Sequence, residues 1–194
     1  MEYTELESLL PRIEWACRYS LSVKRYNHVE RVIRYSRELA ERYEVEPLRV
    51  QVAAAGHDIA RELQPERLVK LADRYAVGQD DPLREQPLLL HGPVAAGMLA
   101  EEYGVEDESV LSAVYHHTLG SPELDEVGKI LYVADYTEPG RPYFEQGERD
   151  GLILGELDKT VAAVIVHASR RFGPISDRTR AFYNAVTSTA GAPW

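Results

Sequence analysis

At 194 residues with a hydrophobic fraction of 44%, the chain is sized for one domain with a substantial buried core. Its net charge of −10 argues against broad electrostatic attraction to nucleic acid or to an anionic membrane, and its one cysteine, Cys17, excludes an internal disulfide framework and a thiolate zinc site within one chain. The stretch Met1-Glu2-Tyr3-Thr4-Glu5-Leu6-Glu7 lacks the basic flank and apolar core of a signal peptide, and nothing resembles an uncharged membrane span, so a cytoplasmic protein with no membrane partner is expected.

Residues 4–18 place Leu6, Leu9, Leu10, Ile13 and Ala16 or Cys17 at helical spacing, with Pro11 as a kink or break. This predicts an N-terminal packing helix within 1–20 that carries no chemistry. Ser20 or Ser22 can cap the next helix, where Val29, Val32, Ile33, Ser36, Leu39, Ala40 and Tyr43 form an apolar stripe. His28 lies one turn before Val32 at the edge of that stripe, with Arg25 three residues earlier on the same side.

Glu46-Pro47 begins a third helix, and Leu48, Val52, Ala55 and Ile59 mark a face leading to His57-Asp58. Helices over 28–43 and 47–61 joined by a short linker predict an antiparallel hairpin that brings His28 and His57 together. Gln64-Pro65 opens another helix through Leu68, Leu71 and Ala72, and Gly78-Gln79-Asp80-Asp81-Pro82 is a surface loop. Leu88-Leu89-Leu90-His91-Gly92-Pro93 delivers His91 at a helix start, and Gly104 is the expected C-cap of that helix.

Asp107 caps the helix carrying Val110, Leu111 and Val114, which ends at His116-His117-Thr118-Leu119-Gly120. Lys129 to Asp135 is a short apolar run that periodicity cannot assign; with no second convincing strand to pair with it, a buried helix and an all-α fold are expected. An Asp ending such a run needs a cation. Glu138-Pro139-Gly140-Arg141-Pro142 breaks the chain there and fixes Arg141 near Asp135. From Leu154 a long amphipathic helix resumes, with His167 on it as a structural or surface residue, and a C-terminal helix and fraying tail occupy 173–194.

Five of the six histidines lie between 28 and 117, and the buried-looking pair His57-Asp58 is costly to desolvate unless a cation pairs it. His28, His57, Asp58 and Asp135 form a mixed nitrogen and oxygen donor set that suits iron, manganese or zinc better than magnesium. Four ligands on an ion able to hold six leave positions for a phosphate oxygen and an activated water, which points to hydrolysis. His91 and His117 fit two roles: a second metal position bridged by Asp58, or contacts and proton donation to substrate phosphates. The sequence leaves both open, and in either case Asp58, His91 and His117 stand closest to the chemistry. Arg25, Arg61 and Arg141 are candidates for holding non-reacting phosphates.

The order His28, His57-Asp58, Asp135 resembles the HD-domain metal-dependent phosphohydrolases, an all-helical superfamily. Leu90-His91-Gly92-Pro93-Val94, His117-Thr118-Leu119-Gly120 and Ala134-Asp135-Tyr136-Thr137-Glu138-Pro139-Gly140-Arg141 resemble the bacterial YqeK group, from about Arg25 to about Phe172. The resemblance implies a single HD-type helical bundle over 1–194. It also implies symmetrical hydrolysis of a dinucleoside tetraphosphate (diadenosine tetraphosphate to two ADP) with a bound iron-type ion, and Arg25, His91, His117, Thr118 and Arg141 near the substrate. Gly56, Arg61 and Leu119 depart from the usual residues of the group, and none of them is a ligand. The rival readings are hydrolysis of mononucleotides or guanosine polyphosphate alarmones, and a catalytically weak nucleotide-sensing module. A homodimer stays open as a partner arrangement.

Overall fold

In the computed structural model, which describes residues 3–78, 81–145 and 147–189, the first helix α1 (Tyr3–Ser20) continues through Pro11. An internal proline forfeits a backbone hydrogen bond at a cost of about 3 kcal/mol. Here Leu6, Leu9, Ile13 and Cys17, all buried along one face, hold the helix together across it, so the break that Pro11 suggests does not form. Helix α2 (Val23–Arg42) starts at Ser22, whose hydroxyl accepts the Arg25 N–H at 3.2 Å, and buries the full stripe from Val29 to Ala40.

Glu44, in the left-handed conformation at φ 57°, turns the chain into α3 (Pro47–Gly56). That helix opens with Glu46 accepting from the Leu48 and Arg49 N–H groups and with Pro47 at its first position. It is the axis of the molecule: Leu48, Val50 and Val52 through Gly56 are buried, and α1 and α2 pack against it. The run Ala53-Ala54-Ala55-Gly56 makes this close approach sterically feasible. The α2–α3 hairpin forms as the sequence predicts.

The regular helix ends at Gly56, not at residue 61. Beyond it the bonds tighten to Ile59 N–H to Gly56 C=O and Arg61 N–H to Asp58 C=O, at 3.1 and 2.9 Å. The His57 Nδ1 donates to the Ala54 carbonyl at 2.7 Å, the acceptor a continuing α-helix would offer to the Asp58 N–H. His57 and Asp58 therefore stand on a tight turn, not on a helix face.

Helix α4 (Pro65–Arg74) and two single turns of 3₁₀ helix, Pro82–Glu85 and Pro87–Leu90, lead to α5 (His91–Tyr103), which Gly104 closes at φ 75°. Gln79 and Asp80 of the expected loop lie outside the described residues. Helices α6 (Glu108–His116) and α7 (Glu126–Thr137) are capped by Asp107 and Asp125, and the ambiguous run Ile130 to Ala134 is wholly buried within α7. A short helix α8 (Glu148–Leu152) that the periodicity did not announce precedes α9 (Leu157–Phe172) and α10 (Asp177–Thr189); the tail from 190 lies outside the described residues. Phe182 of α10 sits edge-on to Tyr132 at 5.4 Å and against Gly120, which adopts φ 74° just past His117. No strand occurs among the described residues, and no described helix is long and apolar enough to cross a membrane.

Gly56 has a steric reason. A Cβ there would meet Leu99 Cδ1 of α5 at 2.6 Å, and Leu99 is fully buried, so its branched end occupies the volume that a larger residue before His57 would need. Gly56→Val should cost about 1–3 kcal/mol by overpacking, and Leu99→Ala about 2–5 kcal/mol by opening a cavity. In a denaturation double-mutant cycle the pair is expected to cost less than the sum of the single changes, because each relieves the other; strict additivity would contradict this packing.

Candidate metal centre

Five segments deliver six side chains to one point. His28 comes from the second turn of α2, His57 and Asp58 from the turn after α3, His91 from the first residue of α5, His117 from the residue following α6, and Asp135 from the last turn of α7. All four histidines and Asp58 are buried. The ring centroids of His28 and His57 are 5.5 Å apart, those of His57 and His117 5.0 Å, and those of His91 and His117 4.9 Å.

Each ring is oriented through its Nδ1. His57, His91 and His117 direct it at the carbonyls of Ala54, Leu88 and Val114, at 2.7, 2.6 and 2.7 Å, and His28 directs it at Glu138 Oε1 at 3.1 Å. A carbonyl or carboxylate oxygen only accepts, so Nδ1 carries the proton and Nε2 presents a lone pair inward. For His28 and His57 that inward Nε2 is buried without a hydrogen-bond partner. Such an atom calls for a cation or a proton.

Asp58 links two groups of imidazoles. Its Oδ2 lies 3.5 Å from His57 Nε2 and 3.7 Å from His28 Nε2, while its Oδ1 lies 3.4 Å from His91 Nε2 and 3.9 Å from His117 Nε2. Asp135 Oδ1 closes the first group, 3.0 Å from His28 Nε2 and 3.7 Å from His57 Nε2. Donors about 2.1 Å from a common ion stand ~3.0 Å apart at octahedral and ~3.4 Å apart at tetrahedral edges, so these spacings fit divalent-metal ligation. The donors are nitrogen and oxygen without sulfur, as the lone buried Cys17 requires; its thiol is pushed up to about 12 by burial and donates to the Ala55 carbonyl.

The electrostatics favour the same use. Burial opposes charge on Asp58, yet His57 and His91 beside it hold its carboxyl well below the usual carboxylate range. Asp135 is likewise kept ionised against its burial, chiefly by His28, His57 and Arg141. His117 is pushed down to about 3 by burial and by the neighbouring imidazoles of His91 and His57, so it stays neutral and able to ligate at neutral pH.

The arginines divide. Arg25 reaches Asp58 Oδ2 at 2.8 Å, and Arg141 reaches the Asp135 carbonyl at 2.6 Å and its Oδ1 at 2.5 Å. Both line a cavity of about 250 Å³ beside the centre, together with Lys24, Arg31, Ser22 and Glu62. Arg61 is half-buried on the turn after Asp58, outside that lining, and Thr118 follows His117 half-buried. His167 stands apart from the centre, accepting from the Tyr136 hydroxyl at 2.8 Å and pairing with Glu148 at 2.9 Å, which is the structural part expected of it.

Two residues of the site escaped the sequence reading. Glu138 is 1% exposed, accepts from His28 Nδ1, from Arg31 Nε and Nη2 at 2.6 and 3.0 Å, and from the Gly140 N–H at 2.5 Å. Burial opposes its charge, but His28, Arg31 and the Gly140 N–H hold its carboxyl down to about 2. The available signals were spacings of three: Arg31 follows His28 on one face of α2, and Glu138 follows Asp135. A Cβ at Gly140 would meet Arg31 Nε at 2.2 Å, so a larger residue there would displace the guanidinium from its place beside Glu138.

Comparison with known proteins identifies the family. The HD domain family matches residues 25–140. A symmetrical bis(5'-nucleosyl)-tetraphosphatase of Staphylococcus aureus is 36% identical over 143 residues, 73% of each chain. One of Bacillus subtilis is 32% identical over 180 residues, 89% of this chain and 95% of the relative. A solved structure, described as a predicted HD superfamily hydrolase involved in NAD metabolism from Clostridium acetobutylicum, superposes with a TM-score of 0.82 at 27% identity, covering 92% of this chain and 97% of that one. With the HD domain matched over more than half of its length, the chain belongs to the HD-domain family, and it is similar over most of its length to symmetrical bis(5'-nucleosyl)-tetraphosphatases.

Proposed function

We propose that this protein hydrolyses dinucleoside tetraphosphates at the central phosphoanhydride, so that water adds across the bond and two nucleoside diphosphates leave, two ADP from diadenosine tetraphosphate. The observation that carries the reading is the two-sided carboxylate of Asp58, one oxygen toward His28 and His57 and the other toward His91 and His117. That arrangement supports two ion positions, the first held by His28, His57, Asp58 and Asp135 and the second by Asp58, His91 and His117. Iron is the ion we propose, with manganese and zinc as alternatives for the same donors. Divalent ions held by these residues would polarise a phosphoryl oxygen and make water nucleophilic near neutral pH.

The protein's own groups do the rest. Arg25 and Arg141, each about a quarter exposed at the cavity, present guanidinium forks that match phosphate oxygens, and with Lys24 they concentrate positive charge in a chain of net charge −10. In the free protein these guanidinia are held by Asp58 and Asp135, which presets their direction toward the ligand-binding side. Neutral His117 supports metal ligation over cationic phosphate binding, which favours one of the two roles the sequence leaves open. Thr118, next to His117, is the proposed hydroxyl contact to substrate.

Three outcomes are expected. Asp58→Ala should lose bound metal by elemental analysis and lower turnover by more than about 10²-fold, since it removes a donor from both positions. Arg141→Ala should lower kcat/KM by roughly 10–100-fold, the worth of a charge-assisted contact, whereas Arg61→Ala should change it by less than about 3-fold because Arg61 lies outside the cavity lining. Chromatography of the products from diadenosine tetraphosphate should show two ADP; ATP with AMP, or free phosphate, would contradict the proposed cleavage.

A further inference from the structure

The four imidazoles of the centre are alike at Nε2 and unlike at Nδ1. His57, His91 and His117 each donate from Nδ1 to a neutral carbonyl three residues earlier. Of the four, His28 alone donates to a carboxylate, Glu138, which is itself fixed by the paired N–H groups of Arg31 and by the Gly140 N–H. A carboxylate acceptor draws on the Nδ1 proton more strongly than a carbonyl does and makes the opposite nitrogen a better donor to a metal.

A second asymmetry lies on the inward side. The first position is ringed by four donors, His28, His57, Asp58 and Asp135, two of them carboxylates, whereas the second has three, Asp58, His91 and His117, with one carboxylate and with the Nε2 lone pairs of its two imidazoles facing each other at 3.1 Å. Four donors carrying two negative charges hold a divalent ion more firmly than three donors carrying one. Both differences act in the same direction.

Resting on the metal-centre reading above, we propose that the two ion positions are unequal. The one built on His28, His57, Asp58 and Asp135 holds a resident ion, the one built on Asp58, His91 and His117 holds an ion that exchanges with solution, and Glu138 is the positioning residue that sets the first apart.

The test uses the full chain, stripped of metal and titrated with Mn²⁺ alone, with free Mn²⁺ followed by its paramagnetic resonance and bound metal measured after dialysis against graded chelator. The wild type should bind two equivalents in two steps separated by at least about tenfold in affinity. Glu138→Gln should weaken the tighter step by roughly 10–100-fold and leave the weaker one unchanged, with circular dichroism confirming the fold. His91→Ala, which leaves Glu138 intact, should keep one equivalent at the wild-type tight affinity, so the inequality is tested even if the buried glutamine does not fold. Two equal sites in the wild type, an unaltered tight step in folded Glu138→Gln, or loss of the tight equivalent in His91→Ala would overturn the inference while leaving the centre standing. A wild type that binds no Mn²⁺, Fe²⁺ or Zn²⁺ at all would overturn the centre itself.

Discussion

The carboxylate of Asp58 is the constraint on which the structure turns. It is 3% exposed among four buried imidazoles, and an ion so placed is tolerable only when its charge is matched from several directions at once. Arg25 of α2 supplies one matching charge, and the imidazoles from α2, α5, α6 and the turn after α3, with Asp135 of α7, surround the positions where bound cations would supply the rest. The helices are therefore held to one arrangement by polar geometry at the centre as well as by apolar packing around it. Local chemistry serves the same end: three of the histidines take a carbonyl three residues back and so orient their own rings where a helix begins or has just ended.

That polar centre explains the departures from simple helix building. The Ala53 to Gly56 run places α3 against several neighbours, and Gly56 gives its side-chain volume to Leu99. Gly120 and Gly140 serve similar ends, the first admitting Phe182 of α10 beneath the His117 turn and the second admitting Arg31 beside Glu138. The C-terminal helix, which carries no member of the His/Asp cluster, thus braces the turn that carries His117. The cations at the cavity offset an overall charge of −10 locally, and a polyanionic substrate needs only that local reversal.

Much of this was legible in the sequence because it is written in short-range patterns. Capping residues at Ser22 and Asp107, proline at Pro47, and the apolar stripe of α2 announce helices that form, and the metal-ligand residue types stand out in an otherwise ordinary composition. The misses have physical causes. Pro11 reads as a breaker because propensity ignores the burial of Leu6, Leu9, Ile13 and Cys17 on either side of it. The end of α3 reads five residues too late because the competing acceptor, the Ala54 carbonyl taken by the His57 ring, is invisible to periodicity. Glu138 was taken for part of a helix break because its partners, His28 and Arg31, are more than a hundred residues away, and a buried ion pair across that span leaves no local signature. Arg61 looked equivalent to Arg25 and Arg141 by residue type, and only their placement around the cavity separates them.

The central claim is that Asp58 joins two groups of ligands around bound divalent ions. Anomalous diffraction from crystals grown with iron or manganese tests it most directly. The account predicts two anomalous peaks on opposite sides of the Asp58 carboxylate, one within bonding distance of His28, His57 and Asp135 and the other of His91 and His117. Peaks away from these side chains, or none at full metal loading, would contradict it.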